Sequence, residues 1–177
     1  MKNYKILLIG SPGSGKSTLT RELKKILDIP VLHLDKIWHT TNYDETAKKW
    51  FIKEQTKFMD NNTSWVIDGN YNGTLDLRIE RANLIIWFHI PRRITMIRVL
   101  KRSIKRKFQK VAADDMSAEF KEKLNREYVD FLRFVWDFEK NNVPTMEEKL
   151  RQISPDCELI VVKNKGDVLH LLDKFRG

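Results

Sequence analysis

Apolar and polar positions along the chain divide it into short apolar runs separated by longer amphipathic segments. Such runs are typical of strands buried on both faces, and apolar residues three and four positions apart are typical of helices. The predicted strands cover 5–9, 31–34, 65–67, 84–90 and 159–162, and the predicted helices 17–27, 44–59, 91 onward, 119–140 and 167–175. This alternation predicts an α/β fold, a three-layer sandwich whose parallel sheet is covered by helices on both faces.

The predicted helix 119–140 carries a stripe of apolar residues at helical spacing, which includes Phe131. Such a stripe is typical of a buried face, so its aromatic residues are predicted to belong to the core. Asn141 and Asn142 follow, and then Pro144, which has no N–H group to give to a helix. The helix is therefore predicted to end before them.

The first apolar run leads directly into a glycine-rich loop. Gly10-Ser11-Pro12-Gly13-Ser14-Gly15-Lys16-Ser17 fits the P-loop pattern of Gly, four residues, Gly, Lys, and Ser or Thr. The glycines let main-chain N–H groups face phosphate oxygens, and the following helix adds its positive end. Lys16 is predicted to reach the β- and γ-phosphates of ATP, and the Ser17 hydroxyl to bind Mg²⁺. The predicted nucleotide contacts are Gly10, Ser11, Gly13, Ser14, Gly15, Lys16, Ser17 and Thr18.

Two aspartates follow predicted strands, and open α/β sheets bind their ligands at the carboxyl ends of strands. Asp68 is predicted to hold magnesium, the alternative being a turn residue before Gly69. Asp35 is predicted to bind a substrate hydroxyl and accept its proton, the alternative being a helix or turn cap. Together with the P-loop, these carboxylates indicate phosphoryl transfer.

Arginines are placed to meet negative charge. Arg98 and Arg102 are four residues apart and share a helix face, which suits phosphate oxygens, whereas a solvated basic face is the alternative. Arg78 and Arg81 follow Asp68-Gly69 and are candidates to meet an acceptor anion.

Composition narrows the class of protein. The 177 residues are enough for one nucleoside-triphosphate-binding domain over 1–177. Cys157 is the single cysteine, so no internal disulfide is possible and a cytoplasmic location is expected. The longest apolar runs, such as 84–88, are too short to span a membrane. The net charge of +9 suits an anionic partner, either a nucleotide, a nucleic acid or an acidic surface.

The segment Asn164-Lys165-Gly166-Asp167 looks like the guanine-binding Asn-Lys-x-Asp of GTPases. However, the Asp-x-x-Gly switch of that class is not found after the third strand, since Asp68 precedes Gly69 directly. The segment also follows the last strand instead of an interior one. The other interpretation is that this segment is a loop that contacts the base of the nucleotide, with its preference among bases unspecified.

Taken together, these residues resemble the adenylate-kinase-like branch of P-loop kinases. The resemblance rests on Trp65-Val66-Ile67-Asp68-Gly69, on Ile90-Pro91 through Arg98 and Arg102, and on 163–168. It implies strand order 2-3-1-4-5, Arg98 and Arg102 on ATP, Lys163 and Lys165 in a loop that packs on adenine, and a helical lid at about 103–116.

More narrowly, the chain resembles the bacterial DNA topology modulation protein (FlaR-like) family, whose name implies an effect on DNA supercoiling. The residues that carry this resemblance are Gly10 to Thr18, Leu32-His33-Leu34-Asp35-Lys36, Ile67-Asp68-Gly69-Asn70-Tyr71, Gly73-Thr74-Leu75-Asp76-Leu77-Arg78 and Arg98-Val99-Leu100-Lys101-Arg102.

The sequence departs from adenylate kinases at the AMP site. Those enzymes have a Thr-Gly pair and an arginine after the second strand, where this chain has His33-Leu34-Asp35, and Asn70-Tyr71 stands where they have proline and arginine. Asp35 instead resembles the hydroxyl-binding acid of shikimate- and gluconate-type kinases. The predicted function is a small-molecule or nucleotide kinase that uses ATP and Mg²⁺, with an unidentified acceptor at Asp35, Asn70 and Arg78. The alternative is an ATP-dependent nucleic-acid-associated protein without small-molecule kinase activity.

Overall fold

The structure, a computed structural model, describes residues 3–109 and 126–176, with side chains for 3–105 and 126–176. Strands and helices alternate along the described chain, as the apolar pattern predicts. The strands are β1 (Lys5–Gly10), β2 (Val31–His33), β3 (Trp65–Asp68), β4 (Leu84–Phe88) and β5 (Glu158–Val162). The helices are α1 (Lys16–Leu27), α2 (Leu34–Trp38), α3 (Glu45–Asp60), α4 (Leu75–Ile79), α5 (Arg92–Gln109), α6 (Arg126–Leu150) and α7 (Lys165–Arg176), with a 3₁₀ turn at Asn72–Thr74.

The five strands form one parallel sheet in the order β2-β3-β1-β4-β5, which confirms the predicted order. His33 on β2 and Leu8 on β1 both pair in register with Asp68 on β3. Neighbouring carboxyl ends therefore lie at one edge of the sheet, where β1 delivers the P-loop between β3 and β4.

The sheet is buried on both faces because β1 alternates its side chains between two apolar clusters. Leu7 and Ile9 pack in the cluster that includes side chains of α3 and α6, whereas Ile6 and Leu8 pack in the cluster that includes side chains of α1 and α7. All four side chains have no solvent exposure. The result is the predicted helix–sheet–helix sandwich.

Helix α6 corrects the predicted end near Pro144. The helix continues to Leu150, with the proline inside it. Met146 and Leu150 are buried in the larger core cluster, together with the partly buried Val143. Burial of these side chains offsets the cost of a proline in a helix, so tertiary packing overrides the local signal.

Two further predictions concern the ends of elements and the lid. Strand β2 ends at His33, so Asp35 lies in the first turn of α2 instead of at a strand end. Residues 103–109 of the predicted lid belong to α5, and 110–116 lie outside the described residues.

Within the described part of the chain, no helix has the length and apolar character that crossing a membrane requires.

Candidate functional site

A large cleft opens at the carboxyl ends of the strands. Its volume is about 1170 Å³, whereas pockets for single small ligands are roughly 300–1,000 Å³. The cleft therefore has room for a nucleotide and a second small molecule. Its walls come from the P-loop, α1, α2, the segment between β3 and α4, α5, α6 and α7.

The P-loop requires glycine at two positions where other chain segments approach it. Gly10 and Gly13 have φ values of 139° and 77°, which side chains disfavour. A Cβ atom at Gly10 would lie 2.5 Å from the Phe88 carbonyl oxygen, and one at Gly13 would lie 2.7 Å from that of Thr95. Packing against β4 and α5 therefore explains glycine at these two positions.

Lys16 is held against the loop that it follows. Its Nζ atom donates to the carbonyl oxygens of Gly10 at 2.7 Å and Ser11 at 3.0 Å. Burial lowers the pKa of the Lys16 ammonium group, whereas the charges of Asp68 and Asp35 act in the opposite direction. The structure thus brings the predicted phosphate-binding lysine close enough to both predicted carboxylates for their charges to interact.

The P-loop lining of the cleft fits a phosphate group. Gly13, Ser14, Gly15, Lys16, Ser17 and Thr18 line the cleft, whereas Gly10 and Ser11 contribute the carbonyls that hold Lys16. The Ser14 hydroxyl oxygen is buried with no hydrogen-bond partner among the described residues. A buried donor of this kind needs an acceptor, which a phosphate oxygen would supply.

Asn70 has a structural role besides the predicted acceptor contact. Its Oδ1 atom accepts from the Gly10 N–H group at 2.7 Å, and its Nδ2 atom donates to the Gly10 carbonyl oxygen at 2.7 Å. Both polar ends of the carboxamide are therefore occupied by one residue of the P-loop. Asn70 lines the cleft and also fixes the position of the P-loop, and its predicted contact with the acceptor stays a prediction.

The structure contradicts the predicted acceptor contact of Arg78, because its side chain has no solvent exposure and does not line the cleft. Its guanidinium group donates to main-chain carbonyl oxygens, at 2.7 Å for Gly69 and 2.9 Å for Tyr71, and also to that of Asn70. Burial lowers the pKa of Arg78 to about 9, so the group remains a cation at neutral pH. Arg78 thus organises the segment after β3 from behind and cannot meet an acceptor in the cleft.

Replacing Arg78 with alanine is expected to lower the free energy of unfolding by about 3 kcal/mol, because several buried carbonyl oxygens lose a charged donor. Urea unfolding measures the change. Arg81→Ala is the matched control, since Arg81 forms an exposed ion pair with Asp60 and its loss is expected to cost less than about 1 kcal/mol. Equal losses in both variants would contradict the structural role of Arg78.

Asp35 faces the cleft from α2 and is held by Tyr71, to which the sequence analysis assigned no role. The Tyr71 hydroxyl donates to Asp35 Oδ1 at 2.9 Å. Burial, followed by the charge of Asp35, raises the pKa of Tyr71, so its hydroxyl keeps its proton and remains the donor. The Tyr71 ring packs against Phe51, with ring centroids 4.9 Å apart. Asp35 is thus fixed from one side and open to the cleft on the other.

Asp68 ends β3 with 6% of its surface exposed and lines the cleft. Its Oδ2 atom lies 3.3 Å from His33 Nδ1 on the neighbouring strand. Ser17 lines the same cleft from the first turn of α1. A hydroxyl and a carboxylate are hard oxygen ligands that fit Mg²⁺, which usually takes only one or two protein ligands beside water and phosphate. The described residues contain no group of three or more His, Cys, Asp and Glu that could hold a metal ion by themselves.

Asp68→Asn is expected to reduce Mg²⁺-dependent turnover about 10²-fold while changing nucleotide affinity much less. The reason is that a metal ion stabilises transition-state charge by several kcal/mol, and the amide loses the negative charge that holds the ion. A titration of turnover against Mg²⁺ concentration measures the effect. Asp60→Asn, on an exposed aspartate away from the cleft, is the control. Unchanged Mg²⁺ dependence in Asp68→Asn would leave Asp68 as a turn residue.

Both predicted arginines of α5 line the cleft. Arg98 Nη1 donates to the Ser14 carbonyl oxygen at 3.0 Å, which joins α5 to the P-loop. The charge of Arg102 acts on the Lys16 ammonium group and contributes to its lowered pKa. The structure therefore places two guanidinium groups beside the predicted phosphate site.

Asn164, in the loop between β5 and α7, and Lys165, at the start of α7, line the cleft, whereas the exposed Lys163 side chain lies outside the lining. Asp167 Oδ2 accepts from the N–H groups of Lys163 at 2.6 Å and Asn164 at 3.1 Å. These bonds lower the pKa of Asp167. The carboxylate that would contact guanine in a GTPase is thus occupied in holding its own loop, which disfavours that interpretation.

Several residues of the cleft were missed by the sequence analysis. Phe131 was assigned to the core and instead lines the cleft, where it is joined by Trp38, His39, Asn72, Phe134 and Asn142. The helical spacing of α6 shows that one face is apolar but not which residues at the edge of that face meet a cleft.

Solved structures similar to this chain include several kinases. A shikimate kinase from Acinetobacter baumannii in complex with shikimate has a TM-score of 0.56 at 15% identity, over 96% of this chain and 88% of that chain. A shikimate kinase from Bacteroides thetaiotaomicron has a TM-score of 0.57 at 11% identity, over 97% and 95%. A deoxyadenosine kinase from M. mycoides with bound dATP has a TM-score of 0.51 at 15% identity, over 97% and 99%.

This chain has the fold of P-loop kinases. The identities of 11% and 15% are too low to transfer a substrate, so the likeness concerns the fold alone. No protein-family model and no curated protein matches the sequence. The resemblance to the DNA topology modulation family therefore stays a prediction from sequence motifs.

Proposed function

We propose that this protein is an ATP- and Mg²⁺-dependent kinase that phosphorylates a hydroxyl group of a small molecule. The observation that carries the proposal is the position of Asp35. Its carboxylate lines the same cleft as the P-loop, acts electrostatically on Lys16, and accepts a hydrogen bond from Tyr71. A carboxylate opposite a phosphate site is suited to take the proton of an attacking alcohol.

In the proposed reaction, the acceptor oxygen forms a bond to the γ-phosphorus while the bond from that phosphorus to the β–γ bridging oxygen breaks. The acceptor proton goes to Asp35, and ADP leaves. Lys16, Arg98 and Arg102 offset the negative charge of the phosphates during transfer. Ser17 and Asp68 would hold Mg²⁺, which would supply positive charge to offset that of the phosphates.

The positions of the basic residues support ATP as the anionic partner. Much of the basic character of α5 faces the cleft through Arg98, Arg102 and Lys105. A nucleotide accounts for these charges without a nucleic acid. No described feature specifically favours the alternative of a DNA-associated protein, so we keep the kinase as the single proposal.

A screen that measures ADP release in the presence of different acceptors tests this function. We expect ATP turnover to rise at least tenfold with one class of hydroxyl compound, and mass spectrometry to detect its phosphate ester. Stimulation by duplex DNA with no phosphorylated small molecule would contradict the proposal. That activity would also be expected to fall steeply with salt concentration, because DNA binding releases counterions.

A further inference from the structure

Among the described residues, the lysines and arginines that line the cleft lie on one side of it, which also carries the carboxylate of Glu22. We call the lining residues of the P-loop, α1, α5 and α7 the donor wall, and those of α2, the segment 70–72 and α6 the acceptor wall. Within the described residues, the lysines and arginines that line the cleft all lie on the donor wall: Lys16, Arg21, Arg98, Arg102, Lys105 and Lys165.

The acceptor wall carries one carboxylate and no lysine or arginine among the described residues. Its members are Asp35, Trp38, His39, Asn70, Tyr71, Asn72, Phe131, Phe134 and Asn142.

Arg133, next to Phe134 in the sequence, is exposed on α6 and does not line the cleft, and the charge of Arg78, which follows the segment 70–72, is satisfied by buried carbonyl oxygens. Lys36 is exposed on α2 and does not line the cleft. An anionic acceptor on this wall would therefore meet Asp35 with no described lysine or arginine of the same wall to balance its charge.

Aromatic side chains dominate the rest of the acceptor wall. Trp38 packs against Tyr71 and Phe51 with ring centroids 5.9 Å and 5.1 Å away. Phe131 and Phe134 face the cleft from α6, although Phe134 keeps 45% of its surface exposed. Aromatic rings that line a cleft suit a ligand with a flat ring, since offset and edge contacts between rings are favourable.

A polar bridge joins the two sides of this wall. Asn72 Nδ2 donates to Asn142 Oδ1 at 3.1 Å, which ties the 3₁₀ turn after β3 to α6. The bridge therefore links the two segments from which Tyr71, Phe131 and Phe134 line the cleft. Asn142 also lines the cleft, and a carboxamide has donor and acceptor groups that suit a polar edge of a ring.

We propose that the acceptor is an alcohol without negative charge that carries a flat ring, of which a nucleoside is the representative compound. The ring packs against Trp38 and Phe134, and the hydroxyl group lies against Asp35. This inference rests on the proposed kinase function and names the substrate class of the same cleft. It excludes sugar phosphates, nucleoside monophosphates and hydroxy acids as preferred acceptors.

A panel of acceptors tests the charge and the ring separately, with the complete chain, ATP and Mg²⁺. Nucleosides are compared with their 3′-monophosphates, which keep the ring and the 5′-hydroxyl but add negative charge, and with glycerol, which is uncharged but has no ring. We expect kcat/KM for a nucleoside to exceed that for its 3′-monophosphate and for glycerol at least tenfold each. Preference for the 3′-monophosphate, for glycerol or for a hydroxy acid such as shikimate would overturn the inference.

Two exposed aromatic residues of α6 give a matched pair of variants. Phe134 lines the cleft with 45% exposure, whereas Trp136 is 41% exposed and lies under Arg92, outside the lining. Phe134→Ala is expected to raise KM for the nucleoside about tenfold without changing KM for ATP, because one aromatic contact is lost. Trp136→Ala is expected to leave both constants unchanged. Equal KM values for the nucleoside in Phe134→Ala and in the unmodified chain would overturn the proposed contact between Phe134 and the ring of the acceptor.

The two proposals fail in different ways. If the unmodified chain transfers phosphate to no hydroxyl compound, the kinase function itself is wrong. If it phosphorylates an anionic or ringless acceptor in preference to nucleosides, the kinase function stands and the inferred substrate class is wrong.

Discussion

Lys16→Ala is expected to raise the Kd for ATP about 10³-fold while the fold remains intact. The lysine would bind both the β- and the γ-phosphate, and each hydrogen bond between charged groups contributes about 2 kcal/mol. The side chain is already directed along the loop, since its Nζ atom lies on the carbonyl oxygens of Gly10 and Ser11. Calorimetric titration with a non-hydrolysable ATP analogue measures the change.

Lys24→Ala is the control for that prediction. Lys24 lies on the same helix, is exposed, and does not line the cleft. Its loss removes the same charge from α1 without removing a phosphate contact, so we expect less than a threefold change in Kd. ATP affinity that is unchanged in a folded Lys16→Ala variant would remove the central basis for ATP binding at this loop.

Asp35→Ala is expected to reduce acceptor-dependent turnover about 10³-fold and to leave ATP affinity within a factor of two. General base catalysis by a positioned side chain contributes roughly 10²–10⁴-fold to rate. Asp35 lies in the first turn of α2, where its side chain faces the cleft. It is outside the P-loop, so its loss is not expected to remove a contact with ATP. Steady-state kinetics with the acceptor found by the screen, and calorimetry with ATP, measure the two quantities.

Tyr71→Phe separates the carboxylate from the hydrogen bond that holds it. This variant keeps Asp35 and the ring contacts of Tyr71 but removes the donor at 2.9 Å. We expect a loss of about tenfold in turnover, well below that of Asp35→Ala, because one hydrogen bond between a neutral donor and a carboxylate is lost. Full activity of Asp35→Ala toward the true acceptor would place the acceptor elsewhere in the cleft.

Much of the fold follows from local patterns in the sequence. Apolar runs of strand length, separated by amphipathic segments, predict the parallel sheet because a strand buried on both faces needs apolar residues at every position. The glycines of the P-loop and Lys16 are recognised at fixed spacing, since the loop is built from consecutive residues. The strand order came from the resemblance to P-loop kinases, and the register of the sheet agrees with it.

The roles of individual side chains depend on contacts between distant segments, which spacing alone does not encode. Asn70 and Gly10 are sixty positions apart in the chain, yet the parallel pairing of β1 and β3 places the Asn70 carboxamide on the P-loop main chain. Tyr71 and Asp35 meet because β2 and β3 are neighbours.

The sequence by itself determined the class of fold, the phosphate loop and the position of Asp68 at the carboxyl end of β3, because each is a local pattern. Tertiary structure alone decided the direction in which the remaining polar side chains point. Arg78 looked like an anion-binding residue by its position after Asp68, but burial beneath carbonyl oxygens of its own segment removes it from the cleft. Phe131 looked like core by its spacing, but its place at the edge of the packed face of α6 turns it to the cleft. Burial depends on which surfaces meet, and that is fixed only when the whole sheet and its helices have assembled.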